Sequence, residues 1–191
     1  EALRYREALR AGHESLATRP ITTKTAIEVC SHIHARTAII RDQLGTYIGN
    51  PTTGNRMYTP PEGRDVILDH LSAWERFLHS NHGLDPLVVM ALSHYQFEAI
   101  HPFFDGNGRT GRVLNLLILI ETGLLQLPIL YLSGHVMRHK DTYYERLDAV
   151  TREDAWEPWI LFMLDGVEST ARWTLDLVCL LYTSPSPRDG L

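Results

Sequence analysis

His101-Pro-Phe-Phe-Asp-Gly-Asn-Gly-Arg-Thr-Gly-Arg112 runs without a break into Val-Leu-Asn-Leu-Leu-Ile-Leu-Ile120, and the predicted architecture follows from this stretch. Residues 113–120 are apolar except for Asn115, which predicts a helix buried on all sides. Upstream, Leu87 to Ile100 is apolar around most of its circumference, and Asp85-Pro86 is a typical helix start, a capping side chain before proline. The sequence therefore predicts two buried helices joined by a polar loop.

Amphipathic helices are predicted around this pair. Thr22 or Thr23 can cap a helix running toward Ile40, and Pro61 with Glu62 opens another of helical apolar spacing. Further helices are predicted over about 129–138, 141–152 and 157–181. Residues 46–59 break the pattern, because their turn residues favour a short β-hairpin. We predict an all-α fold, a helical bundle around a central buried helix with a small β-hairpin.

Composition and charge limit the possible functions. The 191 residues are 44% hydrophobic and 21% charged, with a net charge of -5, which indicates one ordinary globular domain and no nucleic-acid partner. Cys30 and Cys179 form no CxxC pair, so neither a disulfide framework nor a thiolate zinc site is expected. The sequence predicts no transmembrane helix and no signal peptide, and hence no membrane partner and a cytoplasmic location.

Both ends of the sequence look incomplete or foreign. The chain begins at Glu1, without a Met, inside a helical pattern, and we expect a segment upstream. Thr183 to Leu191 reads TSPSPRDGL, in which alternating Ser and Pro exclude a regular helix. This stretch is either a disordered tail or linker sequence joined to a truncated reading frame. The domain is accordingly predicted over residues 1–181, with 182–191 as the tail.

The loop between the two buried helices concentrates the chemistry. Gly106 and Gly108 permit positive φ and close backbone approach, so successive N–H groups can surround a phosphate at a helix N-terminus. Arg109 and Arg112 share a helical face, with no acidic neighbour expected within the turn, and can hold two further phosphates. Asp105 is a hard oxygen ligand suited to Mg²⁺. These residue types predict a site for a magnesium-bound triphosphate.

His101 is the candidate general base, since its unperturbed pKa of ~6.5 lets it accept a hydroxyl proton near neutral pH. The other features have structural alternatives: a turn that only opens a helix, a capping carboxylate and solvated arginines. Phe103 and Phe104 are expected to be packing anchors rather than substrate contacts. His32 and His34 cannot share a helical face and no HExxH occurs, so both are assigned structural roles and no catalytic zinc is expected.

The twelve residues 101–112 resemble the signature of the Fic (filamentation induced by cAMP) family, HPF-x-[DE]-GNGR-x-x-R, and match it at every signature position. The likeness extends from about Tyr5 to Trp173 and is greatest to bacterial Fic proteins with an N-terminal regulatory helix. It includes Tyr5-Arg-Glu-Ala-Leu, Ile48-Gly-Asn, Tyr58-Thr-Pro-Pro, His94-Tyr-Gln-Phe-Glu-Ala-Ile, Pro128-Ile-Leu-Tyr-Leu-Ser and Tyr143-Tyr144.

The resemblance implies a Fic fold and an enzyme that moves AMP from ATP to a Ser, Thr or Tyr hydroxyl of a protein, releasing pyrophosphate. His101 would deprotonate that hydroxyl, and Asp105 would bind Mg²⁺ across the phosphates. Asn107, with the amides of residues 106–108, would stabilise charge on the α-phosphate, and both arginines would hold the β and γ phosphates. The implied nucleotide-binding set is Asp105, Gly106, Asn107, Gly108, Arg109, Thr110, Gly111, Arg112, Tyr143 and Tyr144.

Tyr143 and Tyr144 fall where the family contacts the adenine side of the nucleotide. The alternative is that Tyr143, aligned with Leu147 and Val150, belongs to the core. Both interpretations stay open at this point.

The predicted hairpin resembles the family's flap, which implies that its edge pairs with an extended segment of the target protein. The flap residues so assigned are Tyr47, Ile48 and Gly49. Main-chain pairing reads little sequence, so the identity of the target, self-modification included, does not follow from it.

One part of the family pattern is missing. Fic proteins of this kind carry an inhibitory helix, [ST]xxxE[GN], whose glutamate pairs with the second arginine of the signature. The nearest stretch in residues 1–191, Thr59-Pro-Pro-Glu62-Gly63, has the wrong spacing. The resemblance therefore implies that Arg112 is unpaired here and that transfer is derepressed.

Other activities remain open within and outside the family. Some members remove AMP, and a few move UMP, phosphocholine or phosphate. The related Doc toxins carry an Ala-Asn-Lys-type loop, against which Gly106-Asn-Gly-Arg109 argues. The domain could also be a nucleotide-dependent binding module or a toxin component, for which His101 would not be required.

Overall fold

The computed structural model describes residues 2–49 and 56–183, and it is helical with one small sheet. The elements are α1 (Ala2–Ser15), α2 (Thr23–His34), β1 (Ile48–Gly49), β2 (Arg56–Tyr58), α3 (Arg64–His79), α4 (Pro86–Ile100), α5 (Asn107–Glu121), α6 (Leu132–Arg138), α7 (Lys140–Glu153) and α8 (Trp156–Thr183). This architecture confirms the predicted all-α fold with a β-hairpin. Residues 50–55 of the predicted hairpin and 184–191 of the predicted tail lie outside the described residues.

The central helix is α5, as its composition predicts. Every residue from Val113 to Leu119 is buried, and α1, α2 and α4 pack around this helix. Helix α1 approaches closely because Gly12 carries no side chain: a Cβ there would lie 2.7 Å from Leu117 Cδ1. Burial of this apolar face is the main stabilising term of the fold, at about 25 cal/mol per Å² of apolar surface.

Helix α4 lies beside α5 and is followed by the loop of residues 101–106 at its C-terminal end. Its start is as predicted, since Asp85 Oδ1 accepts a hydrogen bond from Leu87 N–H at 2.8 Å and Pro86 occupies the first turn. Trp74 on α3 and Trp159 on α8 are fully buried against it, donating to the carbonyls of Ser93 and Ala91. The loop is therefore anchored at a well-packed helix end.

Several predicted helix boundaries were wrong. Helix α2 ends at His34 instead of continuing toward Ile40, because Ala35 takes a left-handed conformation (φ 51°) and closes the helix. Helix α3 begins at Arg64 rather than at Pro61.

The C-terminal boundaries also shift. Helix α6 begins at Leu132, three residues later than predicted, and α7 and α8 each begin one residue earlier. Helix α8 continues through Thr183, so the predicted boundary at 181 is two residues too early. No helix in the described part of the chain is long and apolar enough to cross a membrane.

The predicted hairpin is present as a short antiparallel pair. Ile48 pairs with Tyr58 and Gly49 with Arg56, with a register irregularity between the two pairs. The Arg56 guanidinium lies 5.5 Å from the centroid of the Tyr47 ring. This hairpin lines one side of a pocket that His101 also lines.

Candidate active site

His101 ends α4 in a left-handed backbone conformation, with φ 49° and ψ 58°. Its N–H donates to the carbonyl of Phe97 at 3.0 Å. A non-glycine residue in this region costs about 1–3 kcal/mol and persists only where its surroundings fix it. The imidazole lines a pocket, and its Nδ1 is buried with no hydrogen-bond partner among residues 2–49 and 56–183.

Burial, and to a smaller extent the charge of Arg41, lower the pKa of His101 to about 4, whereas the charge of Asp105 acts in the opposite direction. The imidazole is therefore neutral at physiological pH. A neutral imidazole has a free nitrogen lone pair, so this side chain can accept a proton from a hydroxyl.

The side chain of Asn107 holds the loop together. Its Oδ1 accepts from Phe103 N–H at 2.9 Å, and its Nδ2 donates to the Phe103 carbonyl at 2.7 Å. The residue is 3% exposed. These bonds place the amide on the backbone of Phe103, so a contact of Asn107 with the α-phosphate stays a prediction.

Gly106 and Gly108 differ in conformation. Gly106 is left-handed (φ 89°) and precedes the first turn of α5, as predicted for a cradle. Gly108 lies inside the helix, where Arg112 Nη1 would lie 3.1 Å from a Cβ added at this position. The first hydrogen bond of α5 runs from Thr110 N–H to the Gly106 carbonyl at 2.9 Å. The N–H groups of residues 107–109 therefore have no acceptor within the helix.

Asp105 lies before this turn with its side chain 61% exposed. Its Oδ1 accepts from Gly106 N–H at 2.6 Å, and its Oδ2 lies 3.3 Å from Arg109 Nη2. The expectation that Arg109 has no acidic neighbour was wrong, because Asp105 lies one helical turn earlier. The described residues hold no group of three or more His, Cys, Asp or Glu suited to a metal. A single exposed carboxylate fits Mg²⁺, which is typically held by one or two carboxylates together with phosphates and water.

Two residues of α2 support the loop from behind, and sequence reasoning missed both. His34 Nε2 lies 3.7 Å from Asp105 Oδ2, and the Cys30 thiol donates to the Asp105 carbonyl at 3.6 Å. Cys30 and His34 are four residues apart and therefore share a helical face. That spacing was the available signal, whereas the comparison of His34 with His32 drew attention to the wrong pair.

Replacing Gly106 with alanine is expected to destabilise the protein for two separate reasons. A non-glycine residue at positive φ costs about 1–2 kcal/mol, and the new Cβ would also lie 2.5 Å from His34 Nε2. Urea unfolding should show a larger loss than in the control variant Gly83→Ala, since Gly83 has φ 67° and a Cβ added there would have no atom within 4 Å. Equal losses in the two variants would show that His34 does not restrain the loop.

Arg112 lies beside the pocket and reaches α6. Its Nε donates to Ser133 Oγ at 3.3 Å, and that hydroxyl shares a hydrogen bond of 3.0 Å with the Tyr5 hydroxyl. Sequence reasoning assigned neither Ser133 nor Tyr5 to this site. These hydrogen bonds orient the Arg112 guanidinium next to Gly108, where it can bind an anion.

Burial distinguishes the remaining residues of the loop region. Thr110 is fully buried and Gly111 packs against α4, where a Cβ would lie 2.6 Å from Glu98 Oε1. Both residues take part in helix packing, and their expected contact with the nucleotide stays a prediction. Phe103 is buried as predicted, but Phe104 is 75% exposed and is not a packing anchor.

The pocket extends from the loop toward α7 under the hairpin. Its lining residues are Ile48, Met57, Tyr58, Tyr95, Glu98, Ala99, His101, Gly108, Arg112, Tyr143, Tyr144, Leu147, Asp148 and Thr151. Burial raises the pKa of Glu98 to about 7, although Arg112 opposes this shift. The pocket thus has a cationic end, at the start of α5, and a more aromatic end on α7.

Tyr143 belongs to the core, as one of its two predicted interpretations states, and it also lines the pocket. It is 3% exposed, and its hydroxyl shares a hydrogen bond of 2.9 Å with His94 Nε2 in the core. Its ring nevertheless lines the pocket together with the 38% exposed Tyr144. The expected contact of these rings with adenine stays a prediction.

The fold and the site define a helical domain in which a histidine and a glycine-rich helix start line one pocket. The model of the Fic/DOC family matches residues 20–119. The chain belongs to the Fic/DOC family.

Curated relatives carry the name protein adenylyltransferase Fic. That of Drosophila yakuba is 34% identical over 115 residues, and that of Aedes aegypti is 33% identical over 117 residues. Each alignment covers 59% of this chain, but only 22% and 21% of the respective relatives. The chain therefore spans about a fifth of the aligned relatives' length.

Solved structures share the fold. A Fic family protein from Desulfovibrio desulfuricans G20 superposes with a TM-score of 0.69 and 22% identity, covering 90% of this chain and 52% of that one. Fic-1 (residues 134–508) from C. elegans gives a TM-score of 0.64 and 20% identity, covering 90% of this chain and 50% of the other. These similarities support the fold and carry no information on substrate.

Proposed function

We propose that this domain transfers the AMP moiety of ATP to a hydroxyl group of a protein and releases pyrophosphate. The observation that carries the proposal is a neutral histidine, His101, lining the same pocket as Gly108 and Arg112 at the start of α5. A proton acceptor and a helix start that can bind an anion, in one pocket, suit the attack of a hydroxyl on a phosphate. The names of the curated relatives support the same reaction.

The reaction balances with the residues present. His101 accepts the proton of the target hydroxyl, whose oxygen forms a bond to the α-phosphorus while the bond to the β-phosphate bridging oxygen breaks. N–H groups of residues 107–109 face the charge that develops on the α-phosphate. Arg112 and Arg109 would hold the leaving pyrophosphate. Asp105 would hold Mg²⁺, which neutralises phosphate charge when it is bound.

The two remaining sides of the pocket match the other parts of the substrates. Tyr143 and Tyr144 offer aromatic surface to the base at the α7 end. On the opposite side, Ile48 and Gly49 form the β1 edge to which an extended target segment could add main-chain hydrogen bonds. Tyr47, 56% exposed, lies directly before that strand and would flank the target.

Transfer of label from α-³²P-ATP tests the proposal, with γ-³²P-ATP as the matched control and Mg²⁺ in both. The domain itself and proteins of a bacterial lysate should acquire label from α-³²P-ATP. Neither should acquire label from γ-³²P-ATP. Label from γ-³²P-ATP would show phosphate transfer instead. Loss of label from previously modified protein would indicate removal of AMP, and ATP binding without any label would indicate a binding module.

A further inference from the structure

We propose that Arg41 is a positioning residue for His101, because its guanidinium binds the carbonyl groups that end α4 and fixes the imidazole at the pocket wall. The inference rests on the proposed function for the role of His101. Arg41 itself lines no part of the pocket and is 4% exposed.

The hydrogen bonds of Arg41 go to consecutive backbone carbonyls at the turn. Its Nε donates to the His101 carbonyl at 2.7 Å and its Nη2 to the Ile100 carbonyl at 3.3 Å. Its own backbone N–H donates to the Pro102 carbonyl at 2.9 Å. One arginine therefore satisfies three acceptors in a row, which a helix end leaves without intrahelical donors.

The same guanidinium also connects this turn to the segment before α3. Nη2 also donates to the Pro61 carbonyl at 2.6 Å, just before α3. A planar guanidinium has donors in a fixed fork, so it can hold several carbonyls at set angles, which a single ammonium group cannot do. This clamp explains how the strained left-handed backbone of His101 persists.

Arg41 also places a positive charge beside the imidazole. Its charge adds to burial in lowering the pKa of His101, while the charge of Asp105 raises it. Arg112 and Tyr58 line the same pocket from α5 and from the hairpin. A lowered pKa keeps the imidazole neutral, so protonation of His101 should reduce catalysis only below about pH 5. The carboxyl of Glu98, whose pKa burial raises to about 7, lines the same pocket from α4 and titrates at higher pH in every Arg41 variant.

Arg41→Gln and Arg41→Lys test this role, with Arg36→Gln as the control because Arg36 is an exposed arginine of the same segment. For Arg41→Gln we expect kcat to fall about 100-fold while KM for ATP changes less than about threefold, since a misplaced base affects the chemical step. The acid limb of its pH profile should move toward pH ~6.5, the ordinary value for histidine. Arg41→Lys should keep the acid limb and lose about tenfold in kcat, because it retains the charge without the fork.

The titration of His101 followed by NMR in nucleotide-free protein provides a readout that needs no transfer activity. Its midpoint should rise in Arg41→Gln and stay low in Arg41→Lys and Arg36→Gln. Wild-type kcat, acid limb and midpoint in Arg41→Gln would overturn the inference. If Arg41→Gln does not fold, wild-type kcat in Arg41→Lys would overturn it instead. Absence of label in the wild-type protein would contradict the proposed function alone, since the NMR midpoints would still decide the role of Arg41.

Discussion

Replacing His101 with alanine is expected to abolish AMP transfer while ATP still binds. A positioned general base contributes about 10²–10⁴-fold to the rate, so kcat should fall by at least about 1000-fold, given the added loss of orientation. ATP affinity should stay within about threefold, because the groups assigned to the phosphates lie on α5. Transfer of α-³²P label measures the first quantity and isothermal titration calorimetry the second.

Two further variants separate chemistry from folding. His101→Asn retains a side chain that tolerates the left-handed backbone and removes the base, so it should be as inactive as the alanine variant. His32→Ala changes an exposed histidine of α2 and should leave transfer unchanged. Transfer by His101→Asn within about tenfold of the wild-type rate would exclude His101 as the general base.

Replacing Asn107 with alanine is expected to weaken both the fold and the nucleotide site. The change leaves the buried N–H and carbonyl of Phe103 without the partners that the side chain provides. Each such group costs about 1–3 kcal/mol, so we expect a loss of about 3 kcal/mol. For a domain of this size that corresponds to a melting temperature lower by about 10 °C. ATP affinity should fall by at least about tenfold, because the loop loses its internal support.

Asn107→Asp serves as the matched control for this prediction. The carboxylate keeps an acceptor for Phe103 N–H but places an oxygen in the position of Nδ2, 2.7 Å from the Phe103 carbonyl, so near neutral pH this variant should be at least as unstable as the alanine variant. Differential scanning calorimetry measures all three proteins. A melting temperature of Asn107→Ala equal to that of the wild type would contradict the stabilising role of the hydrogen bonds between Asn107 and Phe103.

The sequence predicted those parts of the site whose cause is local. The helix around Val113 follows from an unbroken apolar run, and the left-handed turn at Gly106 from a glycine directly before a helix. Asp85-Pro86 likewise marked the start of α4 correctly. Each of these features depends on residues within about one helical turn, so the local sequence contains all the information needed.

The parts that were missed depend on residues distant in the chain. Arg41 bonds to the carbonyl of His101, 60 residues away, and Cys30 bonds to that of Asp105, 75 residues away. The segment after α2 also has a distant partner, since the backbone N–H of Arg41 donates to the carbonyl of Pro102. A propensity or a spacing cannot report such partners, because tertiary packing overrides local preference. The sequence likewise does not show that Phe104 is exposed while its neighbour Phe103 is buried, because the path of the loop decides which of the two rings enters the core.

The hydrogen bond between Tyr5 and Ser133 has a consequence for the order of folding. Its two partners are 128 residues apart in the chain. At a synthesis rate of about 5–20 residues per second, α1 leaves the ribosome on the order of ten seconds before α6. During that interval α1 can dock on α2, its immediate neighbour in sequence and in space. The contact that orients Arg112 therefore forms only after α6 has been synthesised, so a nascent chain that has just completed α5 still lacks the hydrogen bonds that hold this guanidinium.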